Sequence, residues 1–433
     1  MAKQEIKPIS GKVRFLYSYI FINLMYVSFF VVSLFNEKAR RGFKGRRNLF
    51  AELGKKLSPI PEGKRVWFHA SSLGEFEQAK PIIELLKKSG YRIIVSFFSP
   101  SGYEHSLNYP NADVITYIPL DSPKNARKFV EFVKPRVFVV MRYDLWLNHL
   151  IAVKESGAKI IIADATFPMK LFQRATFLKN FFRRLYGLSD LILATTSEHK
   201  KMFDFFLGAE RSIVAGDTRF DRVYSRSVLN NVAQKLPFTL DISQRIVMVL
   251  GSTWRQDIDV LAAGLNRLSE TFEALTVLIV PHEPTSEEVS RIRTQFPKAK
   301  VLSEIRETSH DGLPFLIVDR VGILTQLYVL GDIAYVGGGF GAGVHSVLEP
   351  AVYGIPIITG PRIERSDEAI HLMQSGALFF VKDAAGAYKI LLKMVGDEAA
   401  RKKAGVIAKS FVDKHLGASA VVAEQIEKFC DGK

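Results

Sequence analysis

At 433 residues the chain is too long for one ordinary domain and fits two domains with an appendage. Hydrophobic content of 48% against 24% charged residues excludes wholesale disorder, and the single cysteine, Cys430, excludes an internal disulfide; with no CxxC or Cys/His cluster either, a reducing compartment and no structural zinc are expected. Lys+Arg 59 against Asp+Glu 44 leaves a net charge of +15, which suits nucleic acid, an anionic bilayer or a phosphorylated substrate until its clustering is examined.

The first predicted element is the apolar run from Phe15 to Phe35. It carries no charged residue and is long enough, as a helix, to cross roughly 30 Å of hydrocarbon. A basic cluster (Lys38, Arg40, Arg41, Lys44, Arg46, Arg47) follows it where a signal peptide would carry a small-residue cleavage site, so the segment reads as a retained anchor. Lys3, Lys7, Lys12 and Arg14 precede it, so the charge bias favours a cytoplasmic catalytic body. Tyr17, Tyr19, Asn23 and Tyr26 also admit a helix lying in the interface, and a buried soluble helix is the third reading.

From Val66 onward apolar strands alternate with amphipathic helices, the signature of parallel sheets covered on both faces. Strands are predicted over Val66–Phe68, Arg92–Phe97, Val114–Tyr117, Val137–Val140, Lys159–Ala163 and Leu191–Ala194, with helices such as Phe76–Lys88 and Lys124–Val133 between them. The pattern breaks over Lys235–Arg245. It then restarts with Ile246–Leu250, Leu275–Val280, Lys300–Leu302, Phe315–Val318, Ile333–Val336 and Ile355–Ile358. The expected organisation is an anchor and basic segment over 1–48, a Rossmann-like domain over 49–234, a linker over 235–245 and a second Rossmann-like domain over 246–433. Two doubly wound α/β domains facing a cleft bind ligand at the C-terminal ends of their strands.

Four strand ends carry polar residues. After the first strand, His69-Ala70-Ser71-Ser72-Leu73-Gly74-Glu75 opens a helix, an arrangement of backbone N–H groups and hydroxyls that suits an anion. Glu75 there reads either as a general base or as a first-turn acid complementing the helix dipole. After Ile333–Val336 the segment Gly337-Gly338-Gly339-Phe340-Gly341-Ala342-Gly343 lets the backbone approach a ligand closely. Its Gly-x-Gly-x-x-Ala spelling matches the dinucleotide fingerprint only weakly, since no acid lies about twenty residues on, and a nucleotide phosphate suits it better than NAD. Glu349 beyond it suits ribose hydroxyls or a capping role. Gly251-Ser252-Thr253 and Pro281-His282-Glu283-Pro284 complete the set, with helix capping the alternative for the hydroxyls and a satisfied loop residue the alternative for His282. Asp257-Ile258-Asp259 has a metal-binding spelling, yet on a helix i and i+2 point apart, so it reads as a solvated helix face.

Together these segments resemble the Kdo (3-deoxy-D-manno-octulosonic acid) transferases, a family of GT-B glycosyltransferases, from the N-terminal anchor to about Leu416. The matching stretches are HASSLGEFEQ (69–78), PLD (119–121), DLW (144–146), GDTRFDRV (216–223), GST (251–253), PHEP (281–284) and the glycine segment through Pro361, with a likeness to the Bacteroidetes branch. The resemblance implies an inverting, metal-independent and cofactor-free transfer of Kdo from CMP-Kdo to a lipid A precursor in lipopolysaccharide core synthesis, at the cytoplasmic leaflet of the inner membrane. Glu75 would be the general base. Ser252, Thr253, His282, Gly338, Gly339, Gly341, His345 and Glu349 would line the donor pocket, and Ser71, Ser72 and Gly74, together with Arg142 of this chain, are expected at the acceptor site or in the cleft.

The chain departs from the family pattern at Arg142 and Asp144, where an acid and a glutamate are usual, at Ser346-Val347 in place of Asn-Pro, in Thr166–Lys170, and at Ser366-Asp367 in place of an aromatic residue. Other readings are a GT-B transferase or epimerase using a UDP-sugar, and a non-catalytic lipid-binding protein of the same fold. No RNP-like, helix-turn-helix or aromatic-interleaved basic motif supports nucleic-acid binding.

Overall fold

The computed structural model describes residues 8–208, 210–233, 242, 244–305 and 313–432. Lys3, Lys7 and most of the expected linker lie outside the described residues. The chain divides into two compact units, 1–222 with 416–433, and 223–415.

The first unit holds a parallel sheet of seven strands: β1 (Arg65–Ala70), β2 (Arg92–Phe97), β3 (Val114–Tyr117), β4 (Val137–Met141), β5 (Lys159–Ala165), β6 (Leu191–Ala194) and β7 (Ser212–Val214), in the order β3-β2-β1-β4-β5-β6-β7. The second unit holds another seven: β8 (Ile246–Thr253), β9 (Leu275–Pro281), β10 (Ala299–Val301), β11 (Phe315–Ile317), β12 (Ile333–Val336), β13 (Ile357–Thr359) and β14 (Leu378–Phe380), in the order β10-β11-β9-β8-β12-β13-β14. Near-continuous Val/Ile/Leu runs make these strands, because both faces of each sheet are covered by helices. Strand order turns back between β1 and β4 in one sheet and between β8 and β12 in the other. The loops after β1 and β4 therefore flank the place where the first sheet would bind a ligand, and those after β8 and β12 the corresponding place in the second.

β7 and β14 are the two strands that the periodicity missed. Each has three residues and sits at a sheet edge. The assignment of 246–433 to the second domain is corrected at its end. The helix Ala418–Asp431 buries Val422, Ala423 and Ile426 in the core of the first unit, and the Asp221 carboxyl takes the N–H groups of Gly417 and Ser419 at 2.7 and 2.6 Å.

Residues Gly11–Phe35 form one helix with a π-turn over Leu16–Phe21, long and apolar enough to cross a membrane by length and composition. One face is bolted to the first unit: the Tyr17 hydroxyl donates to Asp121 at 2.9 Å and the Ser18 hydroxyl to Asn148 at 2.9 Å. The other face leaves Phe21, Leu24, Val27, Val31 and Phe35 exposed. The basic cluster after it is only partly free. Arg40 caps the helix through the carbonyls of Ser33 and Leu34, Arg41 pairs with Glu104 at 2.8 Å, and Arg46 donates to the carbonyls of Ile118, Gly42 and Phe98 beneath the rings of Phe98 and Tyr117.

Candidate active site

At the end of β1 the chain leaves the sheet through Ser71 and Ser72 and enters the helix Leu73–Lys88. Ser72 caps that helix, its hydroxyl accepting from the Glu75 N–H at 3.4 Å. Glu75 folds back so that its Oε2 accepts from the Ser71 N–H at 2.5 Å, which buries the carboxyl at the rim. Burial pushes the Glu75 carboxyl above the usual glutamate range. Asp144 adds to this, while the Ser71 N–H, His69 and Arg142 pull the other way without cancelling it. Glu75 thus sits in the first turn of the helix, as a dipole-complementing acid does, and its carboxyl has a raised affinity for a proton. Gly74 meets only the Ser72 hydroxyl, at 3.9 Å, so no steric demand fixes glycine there.

His69 lies wholly buried at the end of β1 and joins this group to the loop after β4. Its Nε2 contacts Asp144 Oδ2 at 2.9 Å and its Nδ1 the Ser96 carbonyl and hydroxyl at 3.1 and 3.0 Å. Burial works against charge on Asp144, yet hydrogen bonds from His69, Trp146 and Ser71 outweigh it and hold the carboxyl below its usual range. Arg142, in the same loop, acts electrostatically on Glu75. Its φ of 64° is matched by 50° at Asp164 in the neighbouring β5, a backbone that costs a non-glycine residue about 1–2 kcal/mol. Asp164 is fully buried and accepts from both the N–H and the hydroxyl of Thr218. Burial first, and Asp217 second, push it up to about 7. Sequence reasoning placed His69 in the turn after the first strand and Thr218 in the GDTRFDRV stretch without giving either a role, and left out Asp164, one residue past the predicted strand Lys159–Ala163. For His69 and Asp164 the signal was a polar residue at the end of an apolar strand; Thr218 opens a helix.

In the second unit three loops converge at the end of β8. Ser252 has a φ of 53°, and Thr253 is buried with its hydroxyl toward the Val280 carbonyl at 3.5 Å. Neither caps the next helix, whose cap residue is Trp254. The His282 ring stacks on Trp254 with centroids 4.6 Å apart and on His345 at 4.7 Å, while the Trp254 indole N–H donates to His345 Nε2 at 2.9 Å. Burial and then His282 hold His345 below the usual histidine range, which suits a ring that accepts from an indole. His282 is therefore part of a three-ring group, not an isolated loop residue. Trp254, which the sequence reading missed, organises it.

Several positions of the glycine segment admit no side chain. A Cβ on Gly337 would meet the Ser252 carbonyl oxygen at 2.2 Å, and one on Gly339 would meet the Gly360 backbone at 2.6 Å. Gly338, with φ of 92°, gives its N–H to Asp257 Oδ2 at 3.0 Å. This corrects the reading of Asp257-Ile258-Asp259 as a solvated face: Asp257 is fully buried, and only Asp259 is on the surface, paired with Arg291. Gly341 is sterically open. Glu349 sits in the short helix Leu348–Ala351, near enough to Tyr328 to raise that phenol further after burial has done so. The structure thus gathers Ser71, Ser72, Glu75 and Arg142 at one switch point, and Ser252, His282, Gly338, Gly339 and His345 at the other. Among the described residues no group of three His, Cys, Asp or Glu side chains is arranged to hold a metal.

The model of the family described as 3-deoxy-D-manno-octulosonic-acid transferase matches residues 40–222. Over 351 residues, 77% of this chain and 78% of the relative, the sequence is 30% identical to the 3-deoxy-D-manno-octulosonic acid transferase of Chlamydophila psittaci. The chain belongs to the Kdo transferase family. Another member, from Aquifex aeolicus, is 27% identical over 73% of this chain and 82% of its own length. Among solved structures, the UDP-GlcNAc 2-epimerase of Neisseria meningitidis superposes with a TM-score of 0.61, at 16% identity, covering 84% of this chain and all of the other. A UDP-N-acetylglucosamine 2-epimerase from Listeria monocytogenes gives 0.62 at 11% identity, over 86% and 98%. At such identities the likeness shows the fold: this Kdo transferase family member has the two Rossmann-like units of a GT-B glycosyltransferase.

Proposed function

We propose that the protein transfers Kdo from CMP-Kdo to a lipid A precursor, with inversion, and that Glu75 is the general base. The observation that carries this reading is the Glu75 carboxyl, buried at the switch point of the first sheet with a raised proton affinity, in a chain of the Kdo transferase family. The acceptor hydroxyl oxygen attacks the anomeric carbon of Kdo, its proton passes to Glu75, and the bond from that carbon to the phosphate oxygen breaks to release CMP. Donor recognition falls to the second unit, where the loops bearing Ser252, His282 and Gly338–Gly341 offer backbone N–H groups and rings to a nucleotide phosphate. Because CMP is already a good leaving group, positioning and one proton transfer are what the protein must add.

The acceptor is a lipid, and the exposed face of the helix Gly11–Phe35 supports a protein lying on the cytoplasmic leaflet of the inner membrane. Two bolts, Tyr17 and Ser18, hold the other face against the first unit, which favours an interfacial helix over a span. The test is mass spectrometry of a lipid IVA-type acceptor incubated with purified protein and CMP-Kdo. A mass gain of Kdo units is expected, with inhibition by CMP and not by UDP; no gain, or inhibition by UDP alone, refutes the reading. Glu75→Gln should abolish transfer and leave donor binding nearly intact.

A further inference from the structure

Beside Glu75 the first unit carries strained backbone and unsatisfied polar atoms that the reaction above does not use. β4 ends at Met141, and the next residue, Arg142, takes left-handed backbone while its N–H still donates to the Ala163 carbonyl at 2.8 Å. Asp164 has the same unusual conformation on the adjoining strand. Conformations of this kind persist only where the surroundings over-determine them, and they cluster at ligand sites.

The Arg142 Nε is buried with no hydrogen-bond partner. The guanidinium acts electrostatically on Glu75 and Asp164 but forms an ion pair with no acid among the described residues. Asp164, the acid one strand away, is committed to Thr218, whose hydroxyl also lies 2.9 Å from the Gln78 carbonyl. Gln78 follows Glu75 by one helical turn, and its side-chain Oε1 is likewise buried without a partner. A donor thus stands unsatisfied within electrostatic reach of the Glu75 carboxyl, and an acceptor stands unsatisfied one turn along the helix that carries it. Buried polar groups are normally paired, and a guanidinium cannot shed its proton to avoid the cost. An anion satisfies a donor of this kind, and a hydroxyl an acceptor.

We propose that Arg142 is an oxyanion-binding residue that grips a substrate carboxylate or phosphate beside Glu75, with Gln78 Oε1 accepting from a hydroxyl of the same ligand. The proposal rests on the reading of Glu75 as base. Both substrates of that reaction bring oxyanions: Kdo carries a carboxylate on its anomeric carbon, and the acceptor carries phosphates. The fixed fork of donors in arginine fits either.

Two measurements test this on the full-length protein in detergent. In the first, the Arg142 Nε–H resonance, identified by its loss in Arg142→Lys, is followed in nitrogen-15 spectra during addition of free Kdo or of inorganic phosphate. A saturable shift with Kdo assigns the sugar carboxylate, and one with phosphate assigns the acceptor. No shift with either anion overturns the proposal, whatever the transfer assay shows. In the second, Arg142→Asn, chosen because asparagine tolerates left-handed backbone, is compared with Arg142→Lys in steady-state transfer. The expected result is a rise of about 10–100-fold in KM for the substrate bearing the anion, the size of one charge-assisted hydrogen bond, with partial recovery in the lysine variant. Unchanged KM for both substrates in a folded Arg142→Asn protein also overturns it. Absence of any transfer by the unaltered protein would instead sink the Kdo reading, while the spectra still decide Arg142.

Discussion

The carboxyl of Asp257 accepts the N–H of Gly338 at 3.0 Å, and so ties the first turn of one helix to the glycine segment after β12. The same side chain takes the Trp254 N–H at 2.8 Å and the Tyr335 hydroxyl at 2.7 Å. It serves three donors, one from the loop after β8, one from β12 and one from the loop after it, wholly away from water.

Removing that carboxyl orphans all three donors. Asp257→Ala is expected to destabilise the second unit by about 3–5 kcal/mol, because each lost bond leaves a desolvated donor behind. Tyr335→Phe removes one partner and should cost only about 1 kcal/mol. Urea unfolding followed by circular dichroism checks both; equal losses would mean that Asp257 does not hold the loop.

Glycine is required at some positions of the segment and not at others. A Cβ at 339 would strike the Gly360 backbone at 2.6 Å, where nothing flexible can give way, whereas a Cβ at 341 would meet only the Gly338 carbonyl at 3.6 Å. Gly339→Ala should therefore cost about 1–3 kcal/mol or more and weaken donor binding, while Gly341→Ala should stay within about 0.5 kcal/mol. Calorimetric melting with and without CMP separates the two.

These two cases mark what was legible in the sequence. The strands other than β7 and β14, and both switch-point loops, followed from runs such as Ile246–Leu250 and Val137–Val140, because burial on both faces leaves an unbroken apolar string. Glu75 and the glycine segment were readable because they directly follow such runs. Asp257 was not, since an acid in the first turn of a helix is usually solvated and only the tertiary position of Gly338 makes it a loop anchor. The same holds for Trp254, whose role depends on His282 and His345, residues far along the chain. The C-terminal helix was misassigned because periodicity reveals an apolar stripe such as Val422–Ile426 and not the sheet that will cover it.

Transfer should depend on pH through Glu75. A base works deprotonated, and burial raises this carboxyl above the usual glutamate range. Activity is therefore expected to be full at high pH and to fall as pH drops through the raised value, so the acid limb of kcat/KM lies above that of an ordinary glutamate. Arg142 lowers the same affinity for protons, and Arg142→Asn should move the limb further up. Asp144, held ionised by His69, Trp146 and Ser71, pushes it in the opposite sense; Asp144→Asn should shift the limb down. Rate profiles across the acid range, with enzyme stability measured at each point, decide this. A limb that moves the same way in both variants would contradict the electrostatic account.

The two faces of the helix Gly11–Phe35 should respond to different substitutions. Leu24 and Val31, 63% and 46% exposed and seven residues apart, lie on the free face. Placing aspartate at both removes apolar area that a bilayer would bury and adds charge, so binding to anionic vesicles should fall at least about tenfold. The melting temperature should barely move, because both side chains are largely exposed and belong to no core cluster. Tyr17→Phe acts in the other direction. It deletes the donor to Asp121, whose remaining bonds to Asn148 and His149 persist, and should cost about 1–2 kcal/mol of stability while leaving vesicle binding unchanged. Vesicle co-sedimentation and thermal melting of both variants test the pair. If the aspartate variant loses stability instead of vesicle affinity, the outward face is covered by protein, and the membrane attachment proposed for it is wrong.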